Sequence, residues 1–291
     1  MKLRGLNALI TGGSRGLGRA VAEAFVREGA SVLLCARGEQ ELRRAGTELA
    51  GSATSGQVVQ WRRADMADTK ALDDLAESAL AAFGSLDVLV NNAGVLGPVA
   101  RLEDGDWEEW VRALQTDLFG PVYLCRALVA HFKSRGRGKI INLSGGGATK
   151  PMPRMSAYAA AKAGLVRFTE TLAEELRSDG VDVNAVAPGA MNTRFLDEVL
   201  AAGPERAGRK AYDNALKQKA EGGVSPERAA ALCVFLASTE SDGITGKLIS
   251  AIWDPWLELA ERKEELRRSD VYTLRRIVPW ERDMDWGRVE G

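Results

Sequence analysis

Histidine, cysteine and net charge are what this chain has least of, and each shortage narrows what it can do. Its single histidine, His131, ends a long amphipathic segment. In that setting neither a histidine-based triad nor a histidine-rich zinc site is expected, and His131 reads as structural. Cys35, Cys125 and Cys233 are scattered in apolar contexts, which suits buried free thiols better than a disulfide or a metal set; no metal site is expected. A formal charge of −1 advertises no surface for nucleic acid or anionic membrane. No apolar run approaches the roughly 20 residues of a membrane span, and residues 1–7 lack the apolar core and cleavage site of a signal peptide. Internal repeats and low-complexity linkers are also missing. A cytoplasmic enzyme is expected, with a small-molecule substrate and without nucleic-acid or membrane partners.

What the chain does have is alternation. Hydrophobic residues make up 45% and charged residues 27%, ordinary usage for one sizeable α/β domain. Residues 7–10 read as a short apolar strand. The stretch Thr11-Gly-Gly-Ser14-Arg15-Gly16-Leu17-Gly18 follows, then a helix pattern with Leu17, Ala20, Val21, Ala24 and Phe25 on one stripe. Strand, glycine turn and helix N-terminus make a phosphate cradle, because glycines let the backbone approach and first-turn N–H groups point at the anion. A second strand at 31–36 completes a βαβ unit. Further strands are expected at 58–61, 86–90, 139–143, 181–186 and 246–252, with helical patterns at 71–83, 107–135 and around Tyr158. Strands alternating with helices in this way predict a doubly wound, Rossmann-type parallel sheet with helices on both faces. Residues 190–222 break the rhythm as a long polar insert, read as a substrate lid because it begins where a strand's carboxyl end opens. A C-terminal extension, 253–291, follows the core at 4–252.

The stretch 144–162 carries the chemistry. Tyr158 and Lys162 stand four apart in an alanine-rich segment, so both side chains share one helical face. An ammonium beside a phenol favours the phenolate and is expected to lower the tyrosine's pKa toward neutrality. Such a tyrosine exchanges a proton with a carbonyl or alcohol oxygen, typically worth about 10²–10⁴ in rate.

These residues together resemble the short-chain dehydrogenase/reductase family over roughly residues 4–252. The matches are Thr11-Gly-x-x-x-Gly-x-Gly18, Asp65, Asn91-Asn-Ala-Gly94, Tyr158-x-x-x-Lys162, and Pro188-Gly189 followed by Thr193. The glycine spacing resembles the branch of simple oxidoreductases. The resemblance implies that Gly12, Ser14, Arg15, Gly16, Leu17 and Gly18 hold the pyrophosphate, and Asp65 and Met66 the adenine. Asn91, Ala93 and Gly94 would line the adenosine ribose. Pro188, Gly189, Met191 and Thr193 would hold the nicotinamide carboxamide, with Tyr158 as general acid or base and Lys162 on the nicotinamide ribose. Two positions depart from the pattern. The family's serine, thirteen residues before the tyrosine, is Gly145, with Ser144 one place early; its usual asparagine is Asp117. A serine restored at 145 is expected to leave the rate on simple ketones level or higher.

Cofactor choice is read at the end of the second strand. An acidic residue there would bind the ribose hydroxyls and favour NAD. Ala36-Arg37 stands there instead, with Arg15 in the loop, and two cations suit a 2′-phosphate. NADP(H) is favoured and NAD(H) remains open; the alternative for the two arginines is surface solvation. The preferred function is oxidoreduction between a secondary alcohol and a ketone, with a sugar, nucleotide sugar or cyclitol suggested by the polar insert. Two alternatives stand beside it: a non-catalytic dinucleotide-binding sensor or scaffold, and a 3-oxoacyl-thioester reductase. A homodimer or homotetramer is expected. Trp253, Trp256, Trp280 and Trp286 in the extension point to a tail that folds back over its own subunit or a neighbour, close to the insert.

Overall fold

The computed structural model describes residues 1–285. Seven strands form one sheet: β1 (Asn7–Thr11), β2 (Ser31–Ala36), β3 (Val59–Arg63), β4 (Val88–Asn91), β5 (Gly138–Leu143), β6 (Val181–Ala187) and β7 (Leu248–Ser250). Their order is β3-β2-β1-β4-β5-β6-β7 and every pairing is parallel. Parallel strands need crossovers, and the helices supply them from both faces. The strand residues divide by their period of two. Ala8, Ile10, Val32 and Leu34 face α1 (Gly16–Arg27) and α9 (Pro226–Ala237) in one apolar core. Leu9 and Leu33 face α3 (Thr69–Phe83) and α5 (Gly120–Arg135) in the other.

Strand boundaries drift where strands leave the core. The third strand runs two residues past its expected end because Gln60, Trp61, Arg62 and Arg63 lie on the exposed sheet edge, where burial gives no signal. The last ladder is only three residues long. The long helical stretch is α4 (Trp107–Leu114), a π-helical turn (Gln115–Phe119) and α5. His131 is structural: its Nε2 meets the Leu86 N–H at 3.0 Å. All three thiols are free and buried. No described helix is long and apolar enough to cross a membrane.

The insert is a pair of helices, α7 (Arg194–Ala207) and α8 (Arg209–Glu221). The tail does fold back on its own subunit, but mostly away from that pair. Trp256 packs against Phe235 of α9 with 6.0 Å between ring centroids, and its indole N–H donates to the Ala251 carbonyl. Burying such a ring contributes about 1.5–3 kcal/mol. Farther on, the Leu248 N–H donates to the Tyr272 carbonyl at 2.8 Å, so the extended segment covers the open edge of β7. The expected charged helix is a 3-10 turn followed by the short α10 (Lys263–Arg268). Trp280 is half exposed, and Trp286 lies outside the described residues.

Candidate active site

The strand order reverses at β1, which pairs with β2 on one side and β4 on the other. Crossovers leave in opposite directions there, so a crevice opens beyond the strands' carboxyl ends. A cleft of about 1400 Å³ occupies it. Its floor is backbone. Gly12 and Gly16 have φ of +67° and +56°, a region open to glycine at little cost. A Cβ on Gly18 would lie 2.3 Å from both the Gly12 carbonyl oxygen and Asn92 Nδ2. The Thr11 hydroxyl accepts from the N–H groups of Asn92 and Ala93, each at 3.0 Å, tying the ends of β1 and β4 together. No side chain caps the start of α1, so none occupies its first-turn N–H groups. Thr116, buried on the cleft wall, has a hydroxyl without a partner. A glycine floor that a Cβ would fill and an unsatisfied hydroxyl beside it suit a dinucleotide.

Gly12, Ser14, Arg15, Gly16, Leu17, Gly18 and Arg37 border this cleft, as do Met66, Ala93 and Gly94 and, at the far end, Pro188, Gly189, Met191 and Thr193. Three expected residues do not. Asp65 turns away, with Oδ2 2.7 Å from Arg112 and Oδ1 accepting the Ala67 N–H. Asn91 donates to Asn142 Oδ1 at 2.9 Å inside the sheet; its neighbour Asn92 is the one on the cleft. Asp117 is fully buried behind Lys162. Arg15 lies 3.4 Å from Glu41, an acid at the cleft edge that sequence reasoning missed. Among the described residues the Arg37 guanidinium has no ion-pair partner.

At the other end, the first turns of α6 (Ser156–Glu175) bring Tyr158 and Lys162 to the cleft. Lys162 Nζ donates to the Leu143 carbonyl at 3.0 Å and lies 3.3 Å from Asp117 Oδ2. Tyr158 does not follow expectation: burial and then the Asp117 carboxylate push its pKa above the ordinary phenol value. Lys162, the cation expected to lower it, lies 3.3 Å from that carboxylate. Gly145 holds a second correction. A Cβ built there would lie 2.1 Å from the Tyr158 hydroxyl, so the phenol occupies the space a side chain at 145 would need. A serine at this position would displace the tyrosine. Ser144, one residue earlier, is buried and its hydroxyl has no partner.

The helix pair supplies an apolar wall. Leu196 and Val199 of α7 and Ala215 of α8 join Leu96, Met155 and Tyr158 in one buried cluster. Phe195 meets the Tyr158 ring edge to face, centroids 5.6 Å apart. Polar residues of the insert line the cleft as well, among them Asn192, Arg194, Asp197, Glu198, Asn214 and Gln218. Asn192 and Gln218 are bonded to each other at 3.2 Å.

Such a sheet, with a glycine floor at its point of reversal, defines a dinucleotide-binding protein of the Rossmann type. Residues 6–202 match the family model described as short chain dehydrogenase. A 3beta-hydroxysteroid dehydrogenase 1 from Eggerthella lenta is 38% identical over 255 residues, covering 84% of this chain and 91% of that protein. A cis-4-hydroxycyclohexanecarboxylate dehydrogenase from Sinomonas cyclohexanicum is 33% identical over 245 residues, covering 84% and 93%. The crystal structure of levodione reductase superposes with a TM-score of 0.77 at 25% identity, covering 85% of this chain and 96% of that one. The chain belongs to the short-chain dehydrogenase/reductase family and is an NAD(P)-dependent enzyme.

Proposed function

We propose that this enzyme uses NADP(H) to interconvert a ketone and a secondary alcohol carried on a largely apolar, ring-sized skeleton. The observation that carries this reading is the Tyr158 hydroxyl at the floor of a chamber walled by Leu96, Met155, Phe195, Leu196 and Val199. Any hydroxyl of a sugar or cyclitol held against those side chains would lack a partner, at a cost of about 1–3 kcal/mol each. The names of the relatives, which refer to a hydroxysteroid and a hydroxycyclohexane acid, point the same way.

When bound, the reduced nicotinamide supplies the hydride that adds to the carbonyl carbon. The chain's part is to place the carbonyl and deliver the proton. Tyr158 stands where its O–H can be given to the carbonyl oxygen, and Lys162, held by Leu143 and Asp117, fixes the ammonium beside it. Gly145 offers no hydroxyl to share the developing negative charge, which leaves Ser144, on the cleft and with its hydroxyl unpartnered among the described residues, as a candidate donor. NADP(H) preference is supported by Arg37, a cation without an ion-pair partner among the described residues, on the cleft where an acid would bind the ribose diol.

The test is a panel of alicyclic ketones, polyols and 3-oxoacyl thioesters, assayed with NADPH and NADH. Alicyclic ketones with NADPH are expected to turn over fastest. Tyr158→Phe should lower turnover by about 10²–10⁴ with little change in cofactor affinity. Arg37→Asp should reduce the preference for NADPH about tenfold. Cofactor binding without turnover anywhere on the panel would instead favour a non-catalytic sensor.

A further inference from the structure

The group that sets this site apart is Asp117. The π-helical turn between α4 and α5 carries its carboxylate into the protein, where it is fully buried. Oδ1 accepts the Val95 N–H at 2.7 Å. Oδ2 lies 3.3 Å from Lys162 Nζ, whose nitrogen also donates to the Leu143 carbonyl. Lys162 in turn stands 5.8 Å from the centre of the Tyr158 ring. The cation that could turn the phenol into a phenolate is therefore already paired with a fixed anion.

We infer that Asp117 is a charge-balancing residue that neutralises Lys162 and keeps Tyr158 protonated, so that the site donates a proton to a carbonyl across the neutral range. In reduction the phenol O–H breaks, its proton joins the oxygen of the carbonyl that the nicotinamide hydride has reduced, and the phenolate regains a proton from solvent. In oxidation the phenolate must take the alcohol's proton first, so that direction becomes fast only at alkaline pH. The equilibrium itself is untouched; what moves is the pH at which each direction is fast.

Other charges around the pair do not undo this. Arg37 acts on Asp117 from the end of β2, in the same sense as Lys162. On α7, Arg194 and Glu198 pair with each other at 2.7 Å. Lys150 is exposed on the loop before α6. Burial pushes the Asp117 carboxyl above the usual carboxylate range while Lys162 opposes the shift, and the charge balance holds at pH values above that titration. The direction found for Tyr158, upward from burial and the Asp117 charge, agrees.

Asp117→Asn is the sharp test, because an amide oxygen can still accept the Val95 N–H while the charge is gone. The chain has four tyrosines, so ring-carbon NMR of ¹³C-labelled tyrosine resolves their titrations, with Tyr158→Phe assigning the site. Wild-type Tyr158 should titrate above free tyrosine, and Asp117→Asn should lower its midpoint by at least about one pH unit. The phenolate fraction at pH 7 then rises about tenfold, and alcohol oxidation with it. The NMR readout needs neither substrate nor cofactor, so it is independent of the proposed function on which the kinetic arm rests. A wild-type midpoint below free tyrosine would overturn the inference even if the variant failed to fold. So would an unmoved midpoint in a folded variant, the mark of a purely structural aspartate. The expected NMR shift without turnover on any substrate would uphold the charge balance and reject the proposed activity.

Discussion

The two walls of the cleft acquire their shape in opposite ways. The glycine wall is shaped by missing side chains: Gly12 and Gly16 take positive φ, and Gly18 lies where a Cβ would strike the Gly12 carbonyl. The lid wall is shaped by side chains on two helices whose composition is mostly polar. Leu196 and Val199 of α7 turn inward with Ala207 and with Ala215 of α8, beside polar residues such as Asn192, Asn214 and Gln218 that also line the cleft. A wall made of backbone tolerates almost no addition. A wall made of side chains can be repacked. The difference predicts where mutations hurt binding, and whose binding they hurt.

Gly18→Ala should do the most damage and confine it to the cofactor. The added methyl must push either the Gly12 carbonyl or Asn92, which hold the floor together, and cofactor affinity is expected to fall at least about a hundredfold. Equilibrium titration with NADPH measures it; a methyl accepted at no cost would mean that the floor is not rigid. Gly145→Ser carries the same logic into the catalytic end. With the phenol already in the space of a 145 side chain, turnover should drop about 10²-fold, the size of a mispositioned reacting group, while cofactor binding holds. An increased rate would show that Tyr158 moves aside and that the missing hydroxyl was limiting. Phe195→Ala should have the smallest effect and sharpen the contrast. Losing an apolar contact at the chamber is expected to raise KM for an alicyclic substrate about tenfold, within the range of a large-to-small change against a ligand, and to leave cofactor affinity alone. A matching loss of cofactor affinity would mean that the two walls are not separate.

The same contrast explains what could be read in advance. The glycine loop, the strand pattern and the tyrosine–lysine spacing are local: their meaning lies within a few residues along the chain, and the structure places them as expected. Asn91, expected at the cleft, faces the sheet interior and Asn92 meets the cleft, because alternate residues at a strand end point to opposite sides and a shift of one exchanges them. Asp65 depended on Arg112, 47 positions away, which draws its carboxylate off the cleft. The insert's apolar wall was hidden by its polar composition, because composition averages over all faces of a helix and Leu196, Val199 and Ala215 come together only in the fold. The tail's aromatics predicted docking, but Leu248 and Tyr272 decided where, since an unpaired edge strand was available to cover.

From the sequence alone came the doubly wound parallel sheet, the position of the dinucleotide loop and the presence of a tyrosine poised for proton transfer, because backbone conformation and helical spacing depend on near neighbours. Whether that tyrosine is a phenol or a phenolate was decided only in three dimensions. Asp117 lies 45 positions before Lys162, and only the fold brings the carboxylate and the ammonium to 3.3 Å in a buried site. Electrostatics follow distance in space and burial rather than separation in sequence, so the sign of the shift at Tyr158 belongs to the folded molecule.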